Sequence, residues 1–77
     1  MELLAKTIKT VFADFDQAKL REAMKLSEIP EWDSFNSVNL LLELESAYQV
    51  DLAWAVLSGE TTIAELVGML KKGGAAL

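Results

Sequence analysis

The stretch Trp32-Asp33-Ser34-Phe35, with the run behind it from Asn36 to Val50 (NSVNLLLELESAYQV), decides how this chain folds. An aspartate placed before an apolar run is a helix-start signal, because its carboxylate accepts from the free amides of the first turn. The reading predicts a helix over 34–49, capped by Asp33 and beginning at Ser34. That places the Ser34 hydroxyl outward at the positive end of the helix dipole. A phosphate attached there is favoured by the same amides and dipole that bind anions at helix starts. Taken alone, Asp-Ser before an apolar run is more often a plain cap.

The rest of this helix is apolar on two sides. At 100° per residue Leu40, Leu41, Leu44 and Tyr48 share one face, while Phe35, Val38 and Leu42 share another. Glu45 projects beside Val38, at the edge of this face, and Asn36, Asn39, Glu43 and Ser46 form the polar remainder. One face can pack on a neighbouring helix, but a chain of 77 residues has little with which to cover both. The second face is expected to be a docking strip of apolar anchors rimmed by acid. The competing expectation is that the preceding connection folds over it.

Length and composition narrow the function classes. Seventy-seven residues predict a single domain over 1–77, and 52% hydrophobic residues imply either a rich core or apolar side chains left on the surface for a partner. No cysteine or histidine is present, which removes disulfides, thiolate nucleophiles, Cys/His zinc sites and imidazole mechanisms. The composition suits a cytoplasmic setting. No apolar run approaches the roughly 20 residues of a membrane span, and Lys6 and Lys9 break up any signal-peptide core. From Leu26 to Leu70 there is no Lys or Arg, against eight carboxylates, within a net charge of −5. That segment repels nucleic acid and favours basic protein surfaces. No acid–base pair or metal-ligand cluster stands out, so neither catalytic nor metal-binding residues are expected.

Outward from the central stretch, Leu4, Ile8, Val11, Phe12 and Phe15 predict a first helix over 2–15, frayed where Asp14 and Asp16 oppose its dipole. A long, partly helical connection over 16–32 is expected to cross the core through Leu20, Met24 and Leu26, ending before Pro30. Ala53 to Leu57 predicts a short third helix, with Trp54 either in the core or edge-on to the strip. Ser58-Gly59 stops it. Thr62 and Glu65 have capping-box spacing, which opens a last helix over 62–72 on Ile63, Leu66, Val67 and Leu70. Gly68 inside that helix suggests close packing against a neighbour.

This whole layout resembles the acyl carrier protein family, most sharply over 29–52 (IPEWDSFNSVNLLLELESAYQVDL) and again over 61–70 (TTIAELVGML). The resemblance implies an all-α fold, a right-handed four-helix bundle of three longer helices and a short third one. It implies a freestanding, monomeric carrier that does no catalysis. Acyl or biosynthetic intermediates would ride as thioesters on a 4′-phosphopantetheine arm attached to Ser34. Asp33 would support magnesium and coenzyme A during attachment. Phe35, Val38, Asn39, Leu42, Glu45 and Trp54 are the implied partner contacts. The implied partners are a phosphopantetheinyl transferase, an acyl-loading ligase or acyltransferase, and a ketosynthase or other acyl-processing enzyme.

The sequence departs from the family pattern at three places. Glu31 replaces the usual glycine two residues before the aspartate. Phe35 replaces leucine, as in D-alanyl carrier proteins, and Asn39 and Ser46 stand where many fatty-acid members have glutamates. These departures point to a specialised polyketide, secondary-metabolite or modified fatty-acid pathway. The alternatives are an aminoacyl or peptidyl carrier of D-alanyl type, and an unmodified helical interaction domain using the same strip.

Overall fold

In the computed structural model, which describes residues 2–76, three α-helices carry the fold: α1 (Glu2–Val11), α2 (Ser34–Tyr48) and α3 (Ile63–Lys72). Two short 3-10 turns, Gln17–Lys19 and Leu26–Glu28, interrupt the connection from α1 to α2. The fold is all-α, and no strand occurs among the described residues. A four-helix count is not reached among them.

The first helix is shorter than the 2–15 expected. Leu4, Ala5 and Ile8 are buried on its inner face, and Phe12 and Phe15 are buried too, but beyond its end. The Lys9 ammonium explains the early stop. It folds over the last turn and donates to the carbonyls of Ala13 (2.7 Å) and Phe15 (3.1 Å), turning the chain there. A cation on terminal carbonyls is favourable, whereas Asp14 and Asp16 would oppose a longer helix dipole. Asp16 instead accepts from the Ala18 amide at 3.0 Å and caps the first 3-10 turn.

The connection crosses the core as the sequence suggests, with Met24, Leu26 and Ile29 buried and Leu20 half-buried. Backbone pairing holds it against the segment that leads into α3. Leu26 and Ser27 amides donate to the Thr61 and Gly59 carbonyls at 2.8 and 3.0 Å. In return Ile63 and Ala64, the first residues of α3, donate to Met24 and Glu22 carbonyls at 2.8 and 2.9 Å. Two amides that a helix start leaves without intrahelical partners are thereby satisfied. Exposed ion pairs, Lys25–Glu60 at 2.9 Å and Arg21–Glu28 at 3.2 Å, flank this clasp. Hydrogen bonding and attraction from Glu60 raise the Lys25 pKa. The Lys25 amide and then the Arg21 guanidinium lower that of Glu28.

Residues 53–57 are not the short helix expected. The Asp51 carboxylate accepts from the Ala53 amide at 2.9 Å, and Ala55 donates to the Leu52 carbonyl at 2.9 Å, so the chain makes one turn and stops. It then runs extended, with Ala55 and Leu57 buried and Val56 outward. Five residues ending at Ser58-Gly59 cannot offset the cost of helix nucleation.

The last helix begins where its cap places it. Thr62 Oγ1 accepts from the Glu65 amide at 3.1 Å, and the Glu65 carboxylate accepts from the Thr62 amide at 3.0 Å. Ile63, Leu66 and Leu70 close the core opposite Leu4, Ile8, Leu40 and Leu44, all of them essentially inaccessible. Each such side chain contributes about 1.5–3 kcal/mol by leaving water. Gly74, at φ +107°, ends the chain's turn out of α3 in a conformation that favours glycine. Gly68 is not the close contact expected: a Cβ there meets nothing within 4 Å among the described residues.

Gly68→Ala should therefore raise stability by about 1 kcal/mol, the helix-propensity difference, read as a higher urea midpoint at unchanged slope. The Tyr48 hydroxyl is buried with no hydrogen-bond partner among the described residues, and burial raises its pKa. Tyr48 is the only tyrosine. Its absorbance titration should have a midpoint above the ordinary value of about 10 in the native protein and return to about 10 in urea. A phenol with a raised folded-state pKa contributes stability below its unfolded value and loses it as pH climbs through the folded one. Tyr48→Phe should remove that alkaline component of the stability–pH curve.

Candidate functional site at the head of α2

The approach to α2 is fixed before the helix starts. Ile29 is buried, the Trp32 amide donates to the Ile29 carbonyl at 3.2 Å, and the Trp32 ring stacks on Phe12 with centroids 5.8 Å apart. Between them the chain turns sharply, and Glu31 takes the left-handed conformation at φ 67°. A left-handed position of this kind favours glycine, which has no Cβ to crowd the backbone. Gly59 closes the other side. A Cβ on it would lie 3.1 Å from the Ser27 Cβ and 3.5 Å from the Trp32 indole nitrogen.

Asp33 caps α2 as expected. Its carboxylate accepts from the Asn36 amide at 2.7 Å, and its carbonyl from the Ser37 amide at 3.1 Å. Ser34 is the first helical residue and is exposed. Its carbonyl accepts from the Ser37 hydroxyl at 2.6 Å, and Ser37 itself is buried. The two serines of this turn thus have opposite roles: Ser37 ties the turn together, and Ser34 faces outward.

Behind Ser34 the second apolar face stays open. Phe35, Val38 and Leu42 are 74%, 56% and 58% exposed, while Leu40 and Leu44 on the opposite face are buried. The connection does not cover the strip. Asn39 lies half-buried beside it, its amide donating to the Asn36 side-chain oxygen at 3.3 Å. Together with Leu42 and Glu43 these asparagines line a shallow groove toward Thr10 and Val11 of α1.

Two of the expected contact residues also have partners within the chain. The Glu45 carboxylate accepts from the Leu52 amide at 2.8 Å, so it stitches the end of α2 to the next segment. Trp54 is 48% exposed, but its indole donates to the Asp51 carbonyl at 3.1 Å and its ring lies 5.2 Å from the Lys72 ammonium. Asp51 follows the C-terminal end of α2, the far end from Ser34. The structure thus brings Ser34, Asp33, Phe35, Val38, Asn39 and Leu42 onto one helix head and leaves Trp54 apart.

Val56 was not singled out from the sequence, yet it is 81% exposed. It lies on the run that returns from the end of α2 toward Gly59 and Trp32. The in–out alternation of Ala55, Val56 and Leu57 is the signal that marks it, once the segment is read as extended.

The chain matches no family model, no curated protein and no solved structure.

The Glu31 turn yields a stability test. Glu31→Gly relieves a left-handed side chain and should change stability by no more than about 1 kcal/mol, whereas β-branched Glu31→Val should lower it by about 1–2 kcal/mol. Urea denaturation of the two variants compares them directly, and a Val variant as stable as the Gly variant would show that the turn is not strained.

Proposed function

We propose that this chain is a carrier protein of acyl-carrier type, modified at Ser34 with 4′-phosphopantetheine. One observation carries the reading: an exposed serine opens α2, directly ahead of an exposed apolar ridge on the same helix. The site fits such a group. The Ser34 residue has solvent on its outer side, and the positive end of a helix of 15 residues lies beneath it. Bound there, the arm would supply a thiol that holds an acyl or related group as a thioester.

The residues divide the remaining work. Ser34 offers its oxygen to the pyrophosphate of coenzyme A. A new phosphodiester forms there, the adenosine bisphosphate half leaves, and the serine proton passes to the modifying enzyme or solvent. Asp33 holds the helix start in place while this happens, with one carboxylate oxygen engaged by Asn36 and the other available to magnesium. Phe35, Val38 and Leu42 give the transferase and the loading and processing enzymes a common surface. Such docking is better weak and brief than tight, because the carrier must pass between enzymes. On this reading the three helices are the long helices of a right-handed carrier bundle, and residues 53–57 are its third helix reduced to a turn.

Incubation with coenzyme A, magnesium and a broad-specificity phosphopantetheinyl transferase should add the mass of one phosphopantetheine to the wild-type chain and none to Ser34→Ala. Ser34→Ala should fold normally, since Ser34 is exposed and Asp33 supplies the cap. No mass gain on a folded wild type, beside a control carrier that is modified, would remove the proposal in favour of an unmodified interaction domain.

A further inference from the structure

We infer that the helical core of this chain is closed to whatever Ser34 carries, so that its cargo is a short or polar acyl group held outside the helices. The inference rests on the carrier reading and names the substrate class of that site.

An alkyl chain on a flexible arm gains by leaving water, so a long one is drawn toward the interior of the small bundle that carries it. Entry needs either a void or a seam that opens at little cost. Ile8, Leu40, Leu44, Ile63, Leu66 and Leu70 line the centre between the helices and are each 0% exposed. A space large enough for one water molecule beside any of them would leave it some accessible surface, so these side chains fill the centre themselves. Adding methylenes to a core packed in this way forces side chains off their rotamers and shifts the backbone.

The seam nearest Ser34 is held shut as well. Trp32, two residues ahead of Ser34, stacks on the buried Phe12 with centroids 5.8 Å apart. Beside it, a single Cβ added at Gly59 would already lie 3.1 Å from the Ser27 Cβ and 3.5 Å from the Trp32 indole nitrogen. Swinging the head of α3 away from the connection breaks the bonds of Ile63 and Ala64 to Met24 and Glu22, and of Leu26 and Ser27 to Thr61 and Gly59. Moving α3 and the connection together keeps those bonds but withdraws Met24, Leu26 and Ile29 from the core. Either movement costs more than a frayed surface turn, because it leaves backbone groups unpaired or uncovers buried side chains. The outside of the head is what remains to the cargo. A short or polar acyl group loses little by staying in water there, whereas a long alkyl chain loses in proportion to its length.

The test loads the full chain with acetyl- or decanoyl-phosphopantetheine, using acetyl- or decanoyl-coenzyme A, magnesium and the same broad-specificity transferase, each product confirmed by mass. Methyl NMR spectra and amide hydrogen exchange then compare the two forms. The methyl resonances of Leu40, Leu44 and Leu66 should coincide in both. Exchange at the Ile63 and Ala64 amides, referred to the Ile8 amide of α1, should agree between the forms within about twofold. Core methyls that shift with the decanoyl group alone, or exchange at those two amides faster by about tenfold, would show that the core opens. Either result would overturn the inference and leave the carrier reading standing. No mass gain from either coenzyme, beside a control carrier that takes both, would remove the two together.

Discussion

The structure depends on a two-way backbone clasp between the long connection and the start of α3. The carbonyls of Glu22 and Met24 take the first amides of α3, and the amides of Leu26 and Ser27 are taken by Thr61 and Gly59. Neither half is regular secondary structure on its own, and a lone antiparallel bridge, Lys25 to Thr62, marks the pairing among the described residues. Yet it solves two problems together. A helix start inside a protein needs partners for its free amides, and an irregular segment crossing a core needs partners for its own polar backbone. Each supplies what the other lacks. With the clasp closed, Met24, Leu26 and Ile29 are held over the core, and the chain arrives at Trp32 from a fixed direction. The flanking ion pairs are exposed and contribute little beside it.

That division between clasp and helices explains what was legible in the sequence. The start of α2 and both ends of α3 carry their information locally. Asp33 caps within three residues, Thr62 and Glu65 answer one another across one turn, and Gly73-Gly74 follows the last lysines. Capping of this kind needs no knowledge of the rest of the fold. The strip on α2 was legible for a related reason: helical periodicity assigns faces, and the two apolar faces exceeded what one core could take. The end of α1 was not legible. Phe12 and Phe15 continue the apolar spacing, and they are buried as that spacing implies, but Lys9 reaches over to carbonyls that a longer helix would have used itself. Burial and helicity were separate facts there, and the pattern reports only burial.

The segment after α2 failed for a different reason. Ala53 to Leu57 has helix-forming composition, yet its conformation is set by two neighbours outside it. Asp51 takes the Ala53 amide and, through its carbonyl, the Trp54 indole. Glu45 takes the Leu52 amide from a helix turn away. A side chain expected on an acidic rim is thus also a structural tie, and a tryptophan expected either in the core or edge-on to the strip lies beside Lys72. The clasp itself joins residues from distant parts of the chain, Lys25 facing Thr62, between stretches with no strand-like alternation. Sequence patterning has no handle on such a contact.

The turn at Glu31 shows how tertiary contacts over-rule local preference at the place that matters most. A non-glycine residue in the left-handed region costs about 1–2 kcal/mol, and here it is tolerated two residues from the cap. The flanking residues supply more than that. Ile29 is buried on one side and Trp32 stacks on Phe12 on the other, so relaxing the turn would withdraw both from the core. Burial of two such side chains outweighs the strain severalfold. The consequence reaches Ser34. Because the turn cannot relax without uncovering the core, Asp33 stays where its carboxylate meets the Asn36 amide, and the first turn of α2 is closed by Ser37 from within. Ser34 is therefore displayed from a turn held by these contacts. Its outward position follows from the packing of Ile29, Trp32 and Phe12, residues that do not themselves belong to the strip.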